Sequence, residues 1–278
     1  MLSDAPRLSD VIAVVNQNTD RVQTLMTNNA TITVAGLPRL RANIAYERPH
    51  RFRLRATSIA STPELDIGSN DEMFWFWIKR GLPPALYFAH HDRWTTSPAR
   101  DAIPIEPQWI VQALGLAHLD PTSQHSDPIR TANGDWVIRS VNPSPSGTRV
   151  MLTVVDRHGW VLQQHLETAD GRRLASSVAT GHRPDPVTQV ALPQRVEVQI
   201  PGQPRLSIDL GHCLVNPQIQ SGEQLWTRPH YPGYAEVNLA DANGIMALPE
   251  VAPPRRRALQ PSSAGRGRDW RDSRWQRY

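Results

Sequence analysis

Residues 73–78 read Met-Phe-Trp-Phe-Trp-Ile, and no other stretch restricts the fold so strongly. Side chains of a strand alternate between its two faces, so Phe74, Phe76 and Ile78 share one face while Met73, Trp75 and Trp77 share the other. An antiparallel strand with one wet side is apolar on one face only; this one needs an apolar cover on both. The alternation begins upstream, after Arg48-Pro49, where Phe52, Leu54 and Ala56 point one way. Arg51, Arg53 and Arg55 point the other way and are expected to form a solvated outer face. The stretch from Tyr46 to Trp94 is therefore the centre around which the chain is organised.

The remaining segments supply strands and two helices. Residues 9–26 predict an amphipathic helix capped by Ser9 or Asp10, with Val11, Val15, Val22 and Leu25 near helical spacing. Two alternating segments around Gly36-Leu37-Pro38 predict a hairpin. Pro107, then Trp109, Ile110, Ala113 and Leu114, with Gly115 near the end, predict a short apolar helix. Strands resume after a polar loop, with Asp156-Arg157-His158-Gly159 and Asp170-Gly171 as hairpin turns, to a total of about ten to twelve. A sheet that wide curls or closes, and the two helices are available to cover its concave side. No repeat of fixed period points to a solenoid or propeller.

Composition narrows the function classes. Twenty-five prolines in 278 residues, against a usual share of about 5%, suit short strands and turns rather than long helices. No apolar run approaches the ~18 residues of a membrane-spanning helix, and no signal-peptide or lipid-attachment pattern precedes the first helix. The formal charge of +4 is uneven. From Val251 onward eight arginines face Asp269 and Asp272, a surplus of six that leaves the rest of the chain at −2. The basicity belongs to a tail, so no nucleic-acid-binding face is expected. Trp270, Arg274 and Trp275 in that tail are candidate contacts to an anionic membrane surface; the plainer reading is a solvated, disordered extension. The single cysteine, Cys213, excludes an internal disulfide and reads as a buried, inert thiol. His90-His91-Asp92 is the most enzyme-like cluster, but adjacent strand residues diverge and cannot all reach one ion. No nucleophile elbow, metalloprotease helix or phosphate loop is present. No metal, cofactor or catalysis is expected.

Three features in order resemble the lipoprotein-sorting LolA/LolB family of bacterial envelopes. These are Arg48-Pro49-His50-Arg51-Phe52 leaving a strand, Asp66-Ile67-Gly68-Ser69-Asn70 as a turn feeding the aromatic strand, and the later pair of strands joined by Asp156-Arg157-His158-Gly159. The resemblance spans roughly Ser9 to Gly211. It implies an incomplete, half-open antiparallel barrel whose helices form a lid over an apolar cavity for an acyl chain. It also implies Arg48 as the latch that bonds to the lid. A longer chain, an altered turn and the arginine-rich tail depart from the family pattern.

The expected molecule is thus mainly β, with a lipid-binding half-barrel over residues 1–215. A proline- and glycine-rich extension over 216–250 packs on it or trails it, and the basic tail covers 251–278. Cavity lining is assigned to Phe52, Leu54, Phe74, Phe76, Ile78, Trp109, Ile110 and Leu114; the plainer reading of the same residues is core packing. The function is non-catalytic binding and transfer of an acyl chain or lipidated protein by a monomer. Its place is the cell envelope, either periplasmic or anchored as a lipoprotein whose signal segment is absent from this chain. The alternative is a scaffolding envelope protein whose cup is filled by its own side chains.

Overall fold

The computed structural model describes residues 1–80, 83–94, 96–97, 99–103, 107–142, 147–220 and 222–241. The tail from Val251, with Trp270, Arg274 and Trp275, and the end of the extension lie outside the described residues.

The chain opens with helix α1 (Leu8–Asp20). Its first free amide, Arg7 N–H, donates to the Asp10 carboxylate at 3.0 Å, satisfying one of the donors a helix start leaves over. Val11, Ile12, Val15, Asn16 and Thr19 form its buried stripe. The helix is shorter than the apolar spacing suggests. Leu25 and Met26 already belong to strand β1 (Thr24–Val34), because the ladder of that strand holds Leu25 opposite Tyr46 and overrides the helical period.

Strands β2 (Leu40–Glu47), β3 (Arg51–Thr57), β4 (Pro63–Ser69), β5 (Met73–Ile78) and β6 (Ala85–His90) then follow as a meander. Residues 66–69 of the expected turn sit inside β4; the turn itself is made at Asn70, whose side-chain oxygen accepts from the amides of Glu72 (3.0 Å) and Met73 (2.9 Å). Three helical pieces come next, α2 (His91–Trp94), α3 (Ala99–Ala102) and α4 (Pro107–Ala113). Proline opens α4, where its missing N–H is not needed, and Gly115 leaves it at a φ of +100°, in the left-handed region that glycine enters without steric cost.

Short bridges β7 (Gln124–His125) and β8 (Ile129–Arg130) precede the second meander, β9 (Trp136–Asn142), β10 (Arg149–Val155), β11 (Val161–Thr168) and β12 (Arg173–Thr180). A small ribbon of β13 (Arg183–Pro184) and β14 (Ala191–Leu192) leads into β15 (Arg195–Gln199), β16 (Leu206–Asp209) and β17 (Leu214–Val215). A single turn of 3-10 helix (Gly222–Trp226) and β18 (Ala235–Asn238) end the described chain.

All but β13 and β14 join one sheet, in the order β18-β6-β5-β4-β3-β2-β1-β16-β15-β12-β11-β10-β9-β7, with β17 and β8 off that path. Among the described residues every pairing is antiparallel except β18 with β6. The sheet is curved and its ends do not meet, so the molecule is a mainly-β open half-barrel. Both wings contribute to one inner core: Ile44, Phe52 and Leu54 from one, Ala175, Val196 and Val198 from the other, packed together with Trp109 and Val111 of α4 and Leu114 directly after it. A second cluster lies under α1, against Trp136, Ile138 and Val161.

Candidate functional site

The strand ladders set the inner wall. Ile44, Leu54, Ile67, Phe76 and Tyr87 lie side by side across β2 to β6, and Tyr46, Phe52, Ser69, Phe74 and Ala89 form the next row. Seven of the eight predicted lining residues are brought to two adjoining apolar clusters. Phe52, Leu54, Trp109, Ile110 and Leu114 share the central one. Phe74 and Phe76 share the other, with Trp94 edge-on to Phe74 at 5.1 Å and Tyr87 stacked on Phe76 at 5.1 Å. Ile78, at the strand end, is 45% exposed and lies apart from them. The wall is covered by direct contact with α4 and with Trp94, Ala99 and Ile103. A 10 Å³ space beside α1 and a 450 Å³ open depression at Arg51, Asp71 and Trp226 are lined by none of these eight residues.

Arg48 meets the end of α1. Its guanidinium donates to the Thr19 carbonyl (2.6 Å), the Val22 carbonyl (3.2 Å) and the Asp20 carboxylate (3.2 Å). A helix C-terminus leaves carbonyls unpaired and carries partial negative charge, so a cation there satisfies both. The same turn is tied to the chain leaving α4. Thr19 Oγ1 donates to the Ala117 carbonyl at 2.5 Å, and the buried Asn16 side chain exchanges two 2.8 Å bonds with the backbone of Leu119. Arg48, α1 and the exit of α4 thus form one connected polar path.

The outer face holds what the sequence reading missed. Arg53 is buried, not solvated; its guanidinium pairs with Asp66, itself 0% exposed, at 2.6 Å. It also donates to the carbonyls of Leu225 (3.1 Å) and Thr227 (2.8 Å). Tyr231 O–H donates to the same carboxylate at 2.7 Å, and its ring stacks on Trp77 at 3.9 Å, with Tyr234 edge-on to Trp77 at 5.2 Å. Burial and the neighbouring carboxylate hold the Tyr231 phenol protonated, far above the usual tyrosine range. Residues 222–238 are therefore the second apolar partner that the aromatic strand requires, laid over Trp75, Trp77 and Leu86. Arg51 and Arg55 keep the solvent-side role expected of them only in part, Arg51 pairing with Asp71 (2.8 Å) and Glu223 (2.9 Å). The sequence signal was Trp226, Tyr231 and Tyr234 in a stretch read as a proline- and glycine-rich extension that packs on the domain or trails it.

No protein-family model matches the chain, and no curated protein matches it by sequence. Solved structures do match. An outer membrane lipoprotein-sorting protein domain from Vibrio parahaemolyticus aligns over 76% of this chain and 94% of its own, with a TM-score of 0.50 and 7% identity. A DUF1329 family protein from Desulfovibrio piger aligns over 78% and 96%, with a TM-score of 0.51 and 8% identity. The chain has a LolA-like fold. At these identities the likeness concerns architecture: one curved antiparallel sheet with helical cover.

On this LolA-like frame the remaining candidates take structural positions. His91 Nε2 lies 2.9 Å from the Asn70 carbonyl and 3.4 Å from Ser69 Oγ, at the turn that starts β5. Among the described residues no three histidine, cysteine or carboxylate side chains gather as a metal site, and no helix is long and apolar enough to cross a membrane. Cys213 is partly buried against the inner core, and burial pushes its thiol up to about 11, so little thiolate is present near neutral pH.

Proposed function

We propose that the protein binds an acyl chain of a lipid or lipidated protein in the bacterial cell envelope and hands it on without covalent chemistry. The observation that carries the reading is the inner wall of the half-barrel. Two rows of side chains, apolar except for Ser69, run across five strands, and their cover is the seven-residue helix α4 with Leu114 directly after it, which holds Trp109, Ile110 and Leu114 against them. Each methylene moved from water to such a wall gains ~0.8 kcal/mol, so a 16-carbon chain gains on the order of 10 kcal/mol before ordering costs. Arg48 is the latch. Its bonds to the last turn of α1 favour the closed form, and the Thr19–Ala117 and Asn16–Leu119 bonds carry that preference to α4. Uptake is then a shift between covered and uncovered populations. The periplasmic or envelope placement follows the architecture shared with the lipoprotein-sorting domain.

One observation favours a second reading, a scaffolding protein whose half-barrel is permanently filled. The inner wall and α4 touch directly, and neither described space borders them. Native mass spectrometry of protein purified from membranes separates the two. Adducts of lipid mass, lost on acidification, are expected for the carrier; bare protein mass at every lipid concentration establishes the scaffold. Arg48→Leu removes three bonds worth about 1 kcal/mol each, so amide exchange at residues 107–119 is expected to quicken at least tenfold. Unchanged exchange there removes Arg48 from the latch role.

A further inference from the structure

The inner face is not uniformly apolar. Where β11 meets α4 through Gln164 and Gln112, Thr153 of the neighbouring β10 stands directly opposite Gln164, with Ile138 and Ser177 on the flanking strands. Thr153 is 0% exposed and Gln164 2% exposed. Among the described residues neither the Thr153 hydroxyl nor the Gln164 side-chain oxygen has a hydrogen-bond partner. Burying such a group unpaired is costly, so each unpaired one calls for an explanation. Gln164 makes a polar contact to the cover: its Nε2 donates to Gln112 Oε1 of α4 at 3.4 Å, a long bond. One turn earlier on the same helix face, the Trp109 indole N–H is likewise buried without a partner. A wall built solely to hold hydrocarbon gains nothing from this row, and apolar residues of the same size would pack there without penalty.

We propose that Thr153 and Gln164 form a polar subsite for the linkage group of an amide-linked acyl chain, and that Gln112 occupies this subsite while the cover is closed. The complementarity is between functional groups. A secondary amide offers a carbonyl acceptor and an N–H donor. Gln164 offers the matching donor (Nε2) and acceptor (Oε1), and the Thr153 hydroxyl adds a second donor for the carbonyl. When α4 withdraws, Gln112 leaves and both ends of the Gln164 amide become available, while the chain lies along Leu166, Met151 and the Phe52–Leu54 wall. A carboxylate at the same place would be a buried charge facing uncharged partners, which is far more costly; a bare alkane would leave the row unpaired. The ligand class is therefore a neutral N-acyl group in preference to a free fatty acid or a hydrocarbon.

This inference rests on the acyl-binding reading, and the experiment separates the two. The probes are N-dodecylacetamide, n-tetradecane and myristic acid, each displacing a fluorescent alkyl probe from the full-length protein, in the wild type, in Gln164→Leu and in Thr153→Val. The wild type is expected to bind the amide roughly tenfold more tightly than the alkane, the factor for about one net hydrogen bond. Gln164→Leu is expected to bind both alike with alkane affinity retained, and Thr153→Val to fall between. Retained alkane binding also shows that each variant is folded. Equal affinity of the wild type for amide and alkane, a preference for the acid, or an amide preference that survives Gln164→Leu overturns the subsite and leaves acyl binding standing. Failure of every probe to bind the wild type overturns acyl binding and the subsite together.

Discussion

At the scale of single residues, the feature with most at stake is the Arg53–Asp66 pair. Both partners are taken out of water, and the geometry compensates with three further bonds to Asp66 and Arg53 from the residue 222–231 segment. Buried pairs of this kind cost heavily when halved and little when replaced whole. Asp66→Leu is expected to lower unfolding stability by ~3–5 kcal/mol, and the double variant Arg53→Met/Asp66→Leu to recover most of it. Urea denaturation of the wild type, both singles and the double closes the cycle; additive losses would show that the two side chains act separately. Gly68 belongs to the same local design. A β-carbon there would stand 2.2 Å from the Trp75 ring, so glycine is what lets the indole lie across β4 and reach the Asp66 carboxylate at 3.4 Å.

At the scale of elements, α4 is the part on which the functional reading turns. It touches the wall through apolar side chains and, among the described residues, meets it polar-to-polar at Gln112–Gln164. Replacing those two glutamines by cysteine in a Cys213→Ser background and bridging them with a short cleavable thiol cross-linker should fix the cover shut. Alkane uptake is expected to fall at least tenfold in the bridged protein and to return on cleavage; uptake unaffected by the bridge would show that guests reach the wall by another route. The helix itself was legible in the sequence, since proline, an apolar run and glycine mark its ends by local chemistry. So were the hairpins at Gly159 and Gly171 and the alternation of β3. What was not legible depended on distant partners. Arg53 alternates with apolar residues like any solvated strand arginine, and its cover lies some 172 positions away. Val22 and Leu25 continue the period of α1, yet the pairing of β1 with β2 claims Leu25. The Asp66–Ser69 stretch carries turn-type residues but is held in register against both β3 and β5.

At the scale of the whole molecule, the described part of the extension is joined to the sheet. It crosses the outer face, then adds β18 to the edge of β6 in parallel, with Ala235 opposite Ala85. Removing the chain from residue 220 onward bares Trp75, Trp77 and Leu86 and leaves the β6 edge unpaired. Exposed apolar surface and open strand edges both invite association. The shortened protein is expected to bind a hydrophobic dye and to elute as multimers in size-exclusion chromatography. A clean monomer with wild-type dye signal would mean that the outer aromatic face tolerates water.

The direct contact between α4 and the inner wall has one more consequence. Under the acyl-binding function proposed above, a side-chain plug on a short tether is a competitor at very high effective concentration, and every incoming amphiphile has to beat it. Short or weakly apolar molecules lose that contest even when they are abundant. Under the same proposal, long-chain guests are the ones expected to win it. The affinity expected under that proposal is a difference between two burials, which is a way of combining a greasy binding surface with ready release.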